Sequence, residues 1–292
     1  MLLRPMRADD VVAVERLTDE EFHRLDVRTR PADWPAPNGR SPAASAAWVA
    51  RTAHLLAHDA GGCWVAEDDD GLVGAATSLR REVMWVLSTY AVRGRSQGTG
   101  VGTKLLEAAL GYSRGASRGM ICASHDPGAY RRYRAAGFTL HPTALLWGPV
   151  ARSLLPVVDH VRDGSPGDVD LCDSVDRQTR GAGHGVDHDV MAREHRLVVV
   201  DDTTGSGYCY VRPNGSPYLL AASNRRTAQR LMWEALAASD PEVPITVGYV
   251  SAEQDWAVDV AMAARLEVHN RGYLGLRGLK PPAPYLPSTH LL

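Results

Sequence analysis

Three glycines alternate with other residues in Gly98-Thr99-Gly100-Val101-Gly102, directly after the apolar run Met84–Val92 and before the helical pattern Thr103–Arg114. A glycine-rich turn between a strand and a helix lets backbone N–H groups approach an anion, and the helix adds the positive end of its dipole. The chemistry it suggests is phosphate binding. Spacing excludes two familiar phosphates. A Walker A loop needs lysine before the hydroxyl residue, and Gly102-Thr103-Lys104 has the reverse order. A dinucleotide turn needs G-x-G-x-x-G, and counted from Gly98 its third glycine falls on Thr103.

Those residues need elements to hold them. Leu2–Asp10 reads as a strand running into a turn, and Val11–Asp26 and Ser45–Asp59 have helical spacing. Gly61–Arg81 has the pattern of a hairpin around an acidic glycine turn, and Met84–Val92 of the next strand. After the loop and its helix come a strand over Gly119–His125, a helix over Pro127–Gly137, and a closing strand pair over Phe138–Gly148. The second half repeats this order: two helices within 166–196, a hairpin over 196–215, a strand over 217–223 and a helix over 224–239 with Asn224 as its cap. A strand over 244–250, a helix over 254–266 and a closing pair over 267–278 complete the copy. The repeat implies a duplicated α/β (α+β) chain, with domains 1–150 and 151–292 and an extended proline-rich tail.

Composition narrows the class of partner. A net charge of −2, with 45% apolar and 23% charged residues, describes an ordinary globular protein with no reason to hold nucleic acid or a membrane. The four scattered cysteines lack a C-x-x-C pair, and the first residues lack the apolar stretch of a leader, so a cytoplasmic protein is expected. His184 and His188 stand four apart beside Asp187 and Asp189, but Gly185 interrupts any helix there and no third ligand is evident. No metal is expected; Asp187 reads as a helix cap, and Arg177 and Arg180 as groups that could meet an acidic acceptor.

The loop in the form Gln97-x-x-Gly100-x-Gly102, five residues after Val92, resembles the pyrophosphate loop of the GCN5-related N-acetyltransferases (GNAT family). The resemblance runs through residues 1–150 and includes a second motif, Asp126-Pro127-Gly128-Ala129-Tyr130-Arg131-Arg132-Tyr133-Arg134-Ala135-Ala136-Gly137-Phe138. Ala129, Tyr133, Gly137 and Phe138 match it, whereas Asp126 replaces an asparagine and Arg132 an apolar residue. The family implies two tandem domains, each with a mixed, mostly antiparallel sheet flanked by helices. It implies acetyl-CoA, with its diphosphate on Gln97, Gly98, Thr99, Gly100, Val101, Gly102 and Thr103. Its pantetheine arm would lie along Ala91 and Val92, with Asp126 and Ala129 nearby, and Tyr133 would protonate the departing thiolate. Glu21 and His125 are the candidates for base.

The second copy departs from these motifs. Ala261 stands opposite Tyr133, and no glycine occurs between Ser216 and Val247. The N-terminal copy is therefore expected to be the active one, with the second walling the acceptor pocket or forming an interface. The expected activity is direct transfer of an acetyl group from acetyl-CoA to the amine of a small molecule or peptide, by a monomer or homodimer. An acyl-CoA-binding regulatory or assembly module is the alternative.

Overall fold

The computed structural model describes residues 1–32 and 34–292. In chain order the first elements are β1 (Leu2–Pro5), α1 (Val11–Thr29), α2 (Pro42–His58), β2 (Cys63–Asp68), β3 (Gly71–Arg81) and β4 (Met84–Val92). They continue with α3 (Val101–Gly111), β5 (Arg118–Ala123), α4 (Pro127–Ala135) and β6 (Thr139–Gly148). Then come β7 (Arg162–Asp163), α5 (Val169–Thr179), α6 (Asp187–Glu194), β8 (Arg196–Asp202), β9 (Gly205–Val211) and β10 (Pro217–Ala222). The last are α7 (Arg225–Ala237), β11 (Ile245–Ser251), α8 (Asp255–Ala263), β12 (Glu267–Arg277) and β13 (Tyr285–Leu286).

Two compact units emerge. One comprises Met1–Arg80, Trp85–Ala116 and His125–Ala135; the other comprises Arg81–Met84, Ser117–Ser124 and Ala136–Leu292. In the first, β1, β2, β3 and β4 are neighbours in that order. Leu17 of α1, Leu55 of α2, Trp85 of β4 and Leu105 of α3 lie buried in it. The helices start for local reasons: Pro42 opens α2, and the Ser41 side chain accepts the Ala44 N–H.

The second unit contains a sheet order that no local pattern announces. β12 lies between β5 and β6, and β6 lies between β12 and β11. Leu274 pairs with Cys122 on one side and with His141 on the other. Phe138–Gly148 is therefore not a strand pair. It is one continuous strand, whose neighbours come from the far end of the chain. The same holds for Glu267–Arg277. Each long strand has a full partner in the other, so neither needs to fold back on itself.

A second sheet has the order β13-β10-β9-β8-β7. Leu220, Cys209 and Val198 from its strands pack with Leu231 and Met232 of α7 and Trp256 of α8. No helix among the described residues is long and apolar enough to cross a membrane.

Candidate functional site

The glycine turn is built by backbone conformation. Gly98 has φ +82 and Gly100 φ +90, where a side chain is strained even though an added Cβ at either would meet nothing within 4 Å. Gly100 is the residue before α3 and makes no side-chain cap. The first bond of the helix runs from the Lys104 N–H to the Gly100 carbonyl at 3.2 Å. The N–H groups of Val101, Gly102 and Thr103 thus have no partner within the helix, and the dipole favours an anion beside them. Gln97 and Thr99 are exposed; their side chains donate to the Val92 carbonyl (3.0 Å) and the Ser96 carbonyl (2.8 Å). Gln97 therefore ties the turn to the end of β4, where Ala91 is buried.

Gly102 serves by close approach instead. A Cβ there would stand 3.3 Å from the Arg132 guanidinium carbon and closer still to the Tyr90 hydroxyl. Tyr90 lies with its ring centroid 6.2 Å from that of Tyr133, which is 5% exposed on α4. Burial pushes the Tyr90 phenol up to about 12, opposed by Arg132 and reinforced by Asp126. Asp126 acts as the cap of α4: its Oδ1 accepts the Ala129 N–H at 2.9 Å, and its Oδ2 stands 3.5 Å from Arg28. His125 presents Nδ1 at 3.4 Å from the Tyr130 hydroxyl.

The carboxylates of α1 reach the same turn. Glu20 pairs with Arg93 at 2.8 Å, and the buried Glu21 accepts from Arg24 at 2.7 Å. Both the Glu21 carboxylate and Arg24 lie within 4 Å of where a Cβ on Gly94 would stand. Arg95 ties the β2–β3 turn to this region through Asp70 (2.8 Å) and Asp68 (3.2 Å). Arg24, Asp70, Arg93 and Arg95 line a cavity of about 430 Å³. Its arginines are all paired with carboxylates, so it is not a free anion site.

The matching positions of the second half look different. Only Ser223 and Asn224 separate β10 from α7. Asn224 extends as a cap, its side chain accepting the Thr227 N–H at 2.9 Å, as its place before the helix predicts. Beside β10 runs β13, with Leu286 opposite Leu220 and Tyr285 opposite Ala221. Gln254 fastens this segment, accepting from the Tyr285 N–H (2.9 Å) and donating to the Pro282 carbonyl (2.7 Å). Ala257 and Ala261 of α8 are fully buried core residues.

The histidine pair lies in a buried polar network rather than on one helix face. His184 precedes α6, and a residue hidden from sequence reasoning joins it: one ligand atom each from Asp176, His184 and His188 falls within 4.8 Å. Those atoms are engaged with one another. His184 Nδ1 and the Tyr208 hydroxyl each lie 2.6 Å from Asp176, and His188 bonds Asp173 at 3.2 Å and Tyr210 at 3.0 Å. Burial pushes His184 below its usual value. Burial opposes ionised Asp173, yet His188 and the backbone N–H groups of His184 and Gly185 hold it well below the carboxylate range. Asp187 is not a cap: it pairs with Arg81 through two bonds, of 2.6 and 2.9 Å. Arg180 is buried and donates to the Ala182 and Gly183 carbonyls, and Arg177 pairs with Glu82. Arg180 therefore does not project into solvent, and its Nη1 is buried without a hydrogen-bond partner.

The fold has many solved relatives. A candidate acetyltransferase from Pyrococcus horikoshii superposes with a TM-score of 0.74 at 14% identity, over 99% of this chain and 95% of that one. A GCN5-related N-acetyltransferase from Sphaerobacter thermophilus gives 0.58 at 16%, over 94% and 95%. A tandem GNAT protein from the clavulanic acid biosynthesis pathway gives 0.54 at 13%, over 96% and 99%. The architecture is the tandem GNAT fold, with sheets flanked by helices. Residues 20–138, which hold the glycine turn and Tyr133, match the model of the Acetyltransferase (GNAT) family. No curated protein matches the chain in sequence.

Proposed function

We propose that the chain is an N-acetyltransferase that moves the acetyl group of acetyl-CoA directly to a primary amine of a small molecule or peptide. The donor site belongs to residues 1–150, and residues 151–292 carry no second one. The observation that carries this reading is the uncapped N-terminus of α3 behind two left-handed glycines, with buried Tyr133 on the neighbouring motif helix. In the reaction, the acceptor's ammonium gives a proton to a base, for which Glu21 and His125 are the candidates. The amine then attacks the thioester carbon, and the Val92 N–H would steady the oxyanion. The C–S bond breaks as Tyr133 protonates the thiolate, and the new amide nitrogen loses its remaining extra proton.

The test is Tyr133→Phe. CoA release with a panel of amines should fall about 100-fold, the usual scale for a positioned acid, while acetyl-CoA still binds. Unchanged turnover would remove Tyr133 as the acid. Binding without turnover in the wild-type protein, against every amine, would favour a regulatory module instead.

A further inference from the structure

The departure from the family motif at Arg132 has a structural counterpart. Its guanidinium reaches from α4 to the first turn of α3 and lies against Gly102, a position that only a residue without a side chain leaves open. Among the described residues Arg132 makes no hydrogen bond or ion pair; Asp126, which faces Gly128 as Arg132 does, is engaged with Ala129 and Arg28. Beside it the Tyr90 hydroxyl is buried without a hydrogen-bond partner. A cation, an unpaired hydroxyl and the open N–H groups of α3 thus converge on Gly102. A buried hydroxyl left unpaired is destabilising, and a guanidinium matches the oxygens of a phosphoryl group better than any other side chain does.

We infer that Arg132 and Tyr90 form a second phosphoryl contact, delivered from α4 and β4 onto the first turn of α3, which makes the diphosphate of the donor a specificity determinant. The inference rests on the acyl-CoA reading above. It adds to the glycine turn a charged contact that the family motif, with an apolar residue here, does not contain. Arg132 would hold a diphosphate oxygen by charge-assisted bonds while the Tyr90 hydroxyl donates to a second. Thioesters lacking the diphosphate would lose both contacts.

Calorimetry with CoA and dephospho-CoA on the wild-type, Arg132→Leu, Arg132→Lys and Tyr90→Phe proteins tests this. Arg132→Leu should weaken both ligands alike, about tenfold to a hundredfold, and flatten the salt dependence of binding, with Arg132→Lys recovering part of the loss. Tyr90→Phe, which keeps the ring and its packing, should weaken both ligands severalfold. Equal CoA affinity in wild-type and Arg132→Leu proteins would overturn the inference and leave the acyl-CoA reading intact. Loss confined to CoA would overturn it too, since the arginine would then meet the 3′-phosphate. A wild-type protein that binds neither ligand would remove both the inference and the reading beneath it. Should Arg132→Leu fail to fold, the lysine and phenylalanine variants decide alone: unchanged affinity in both overturns it.

Discussion

Two strand-to-helix turns of this chain, β4 to α3 and β10 to α7, start from similar neighbours and end as opposites. Between β4 and α3 run eight residues, 93–100, ending in left-handed Gly100, and the helix N-terminus is left open. Between β10 and α7 run two, and Asn224 closes its own helix. A helix dipole is therefore not itself a binding site. Whether its N–H groups serve a ligand or a side chain depends on the cap and on the length of chain available to wrap an anion. β10 pairs with β13 at Leu220 and Ala221. A short turn and a capped helix are two separate reasons why the second copy should hold no donor.

The sharpest way to break this comparison is at Gly100. With φ at +90, Gly100→Ala costs roughly 1–2 kcal/mol in the folded state unless the turn rearranges. Acetyl-CoA affinity should fall at least tenfold, and wild-type calorimetry should give one site per chain. Two equivalent sites would show that the second turn binds after all. Next comes Leu286→Ala, which empties a fully packed position beside β10. It should lower stability by about 2–4 kcal/mol and leave donor affinity unchanged; a new acetyl-CoA site in that variant would mean that β13 alone had covered a working groove. The smallest effect belongs to Asn224→Ala. Loss of its cap should reduce stability by about 1 kcal/mol, visible as a lower denaturant midpoint, again without a change in donor affinity. A gain of donor binding there would mean that the cap, rather than the missing glycine turn, had silenced the second copy.

Much of the glycine turn is legible in the sequence because its determinants are local. Gly98 and Gly100 are the residues that positive φ favours, and Asn224 is a side chain that caps a helix from the adjacent position. The residues that sequence reasoning misplaced depend on distant partners. Asp187 suits a helix start, yet its carboxylate is taken by Arg81 from another part of the chain. Arg180 looks like a free cation, but its guanidinium serves carbonyls of the next turn. Asp176 joins the two histidines across a loop that carries no motif.

By itself the sequence determined the glycine turn between strand and helix, the motif ending in Gly137-Phe138, and the lack of both in the repeat. Each is a matter of residue type at fixed short spacing, which backbone geometry reads directly. Only the tertiary structure decided that β12 enters between β5 and β6, that β13 pairs with β10, and that Arg132 reaches over Gly102 to stand beside Tyr90. Those arrangements join segments as far apart as Gly119 and Arg277. An extended strand has the same local pattern beside any neighbour, so its partner is chosen by the packing of the whole unit.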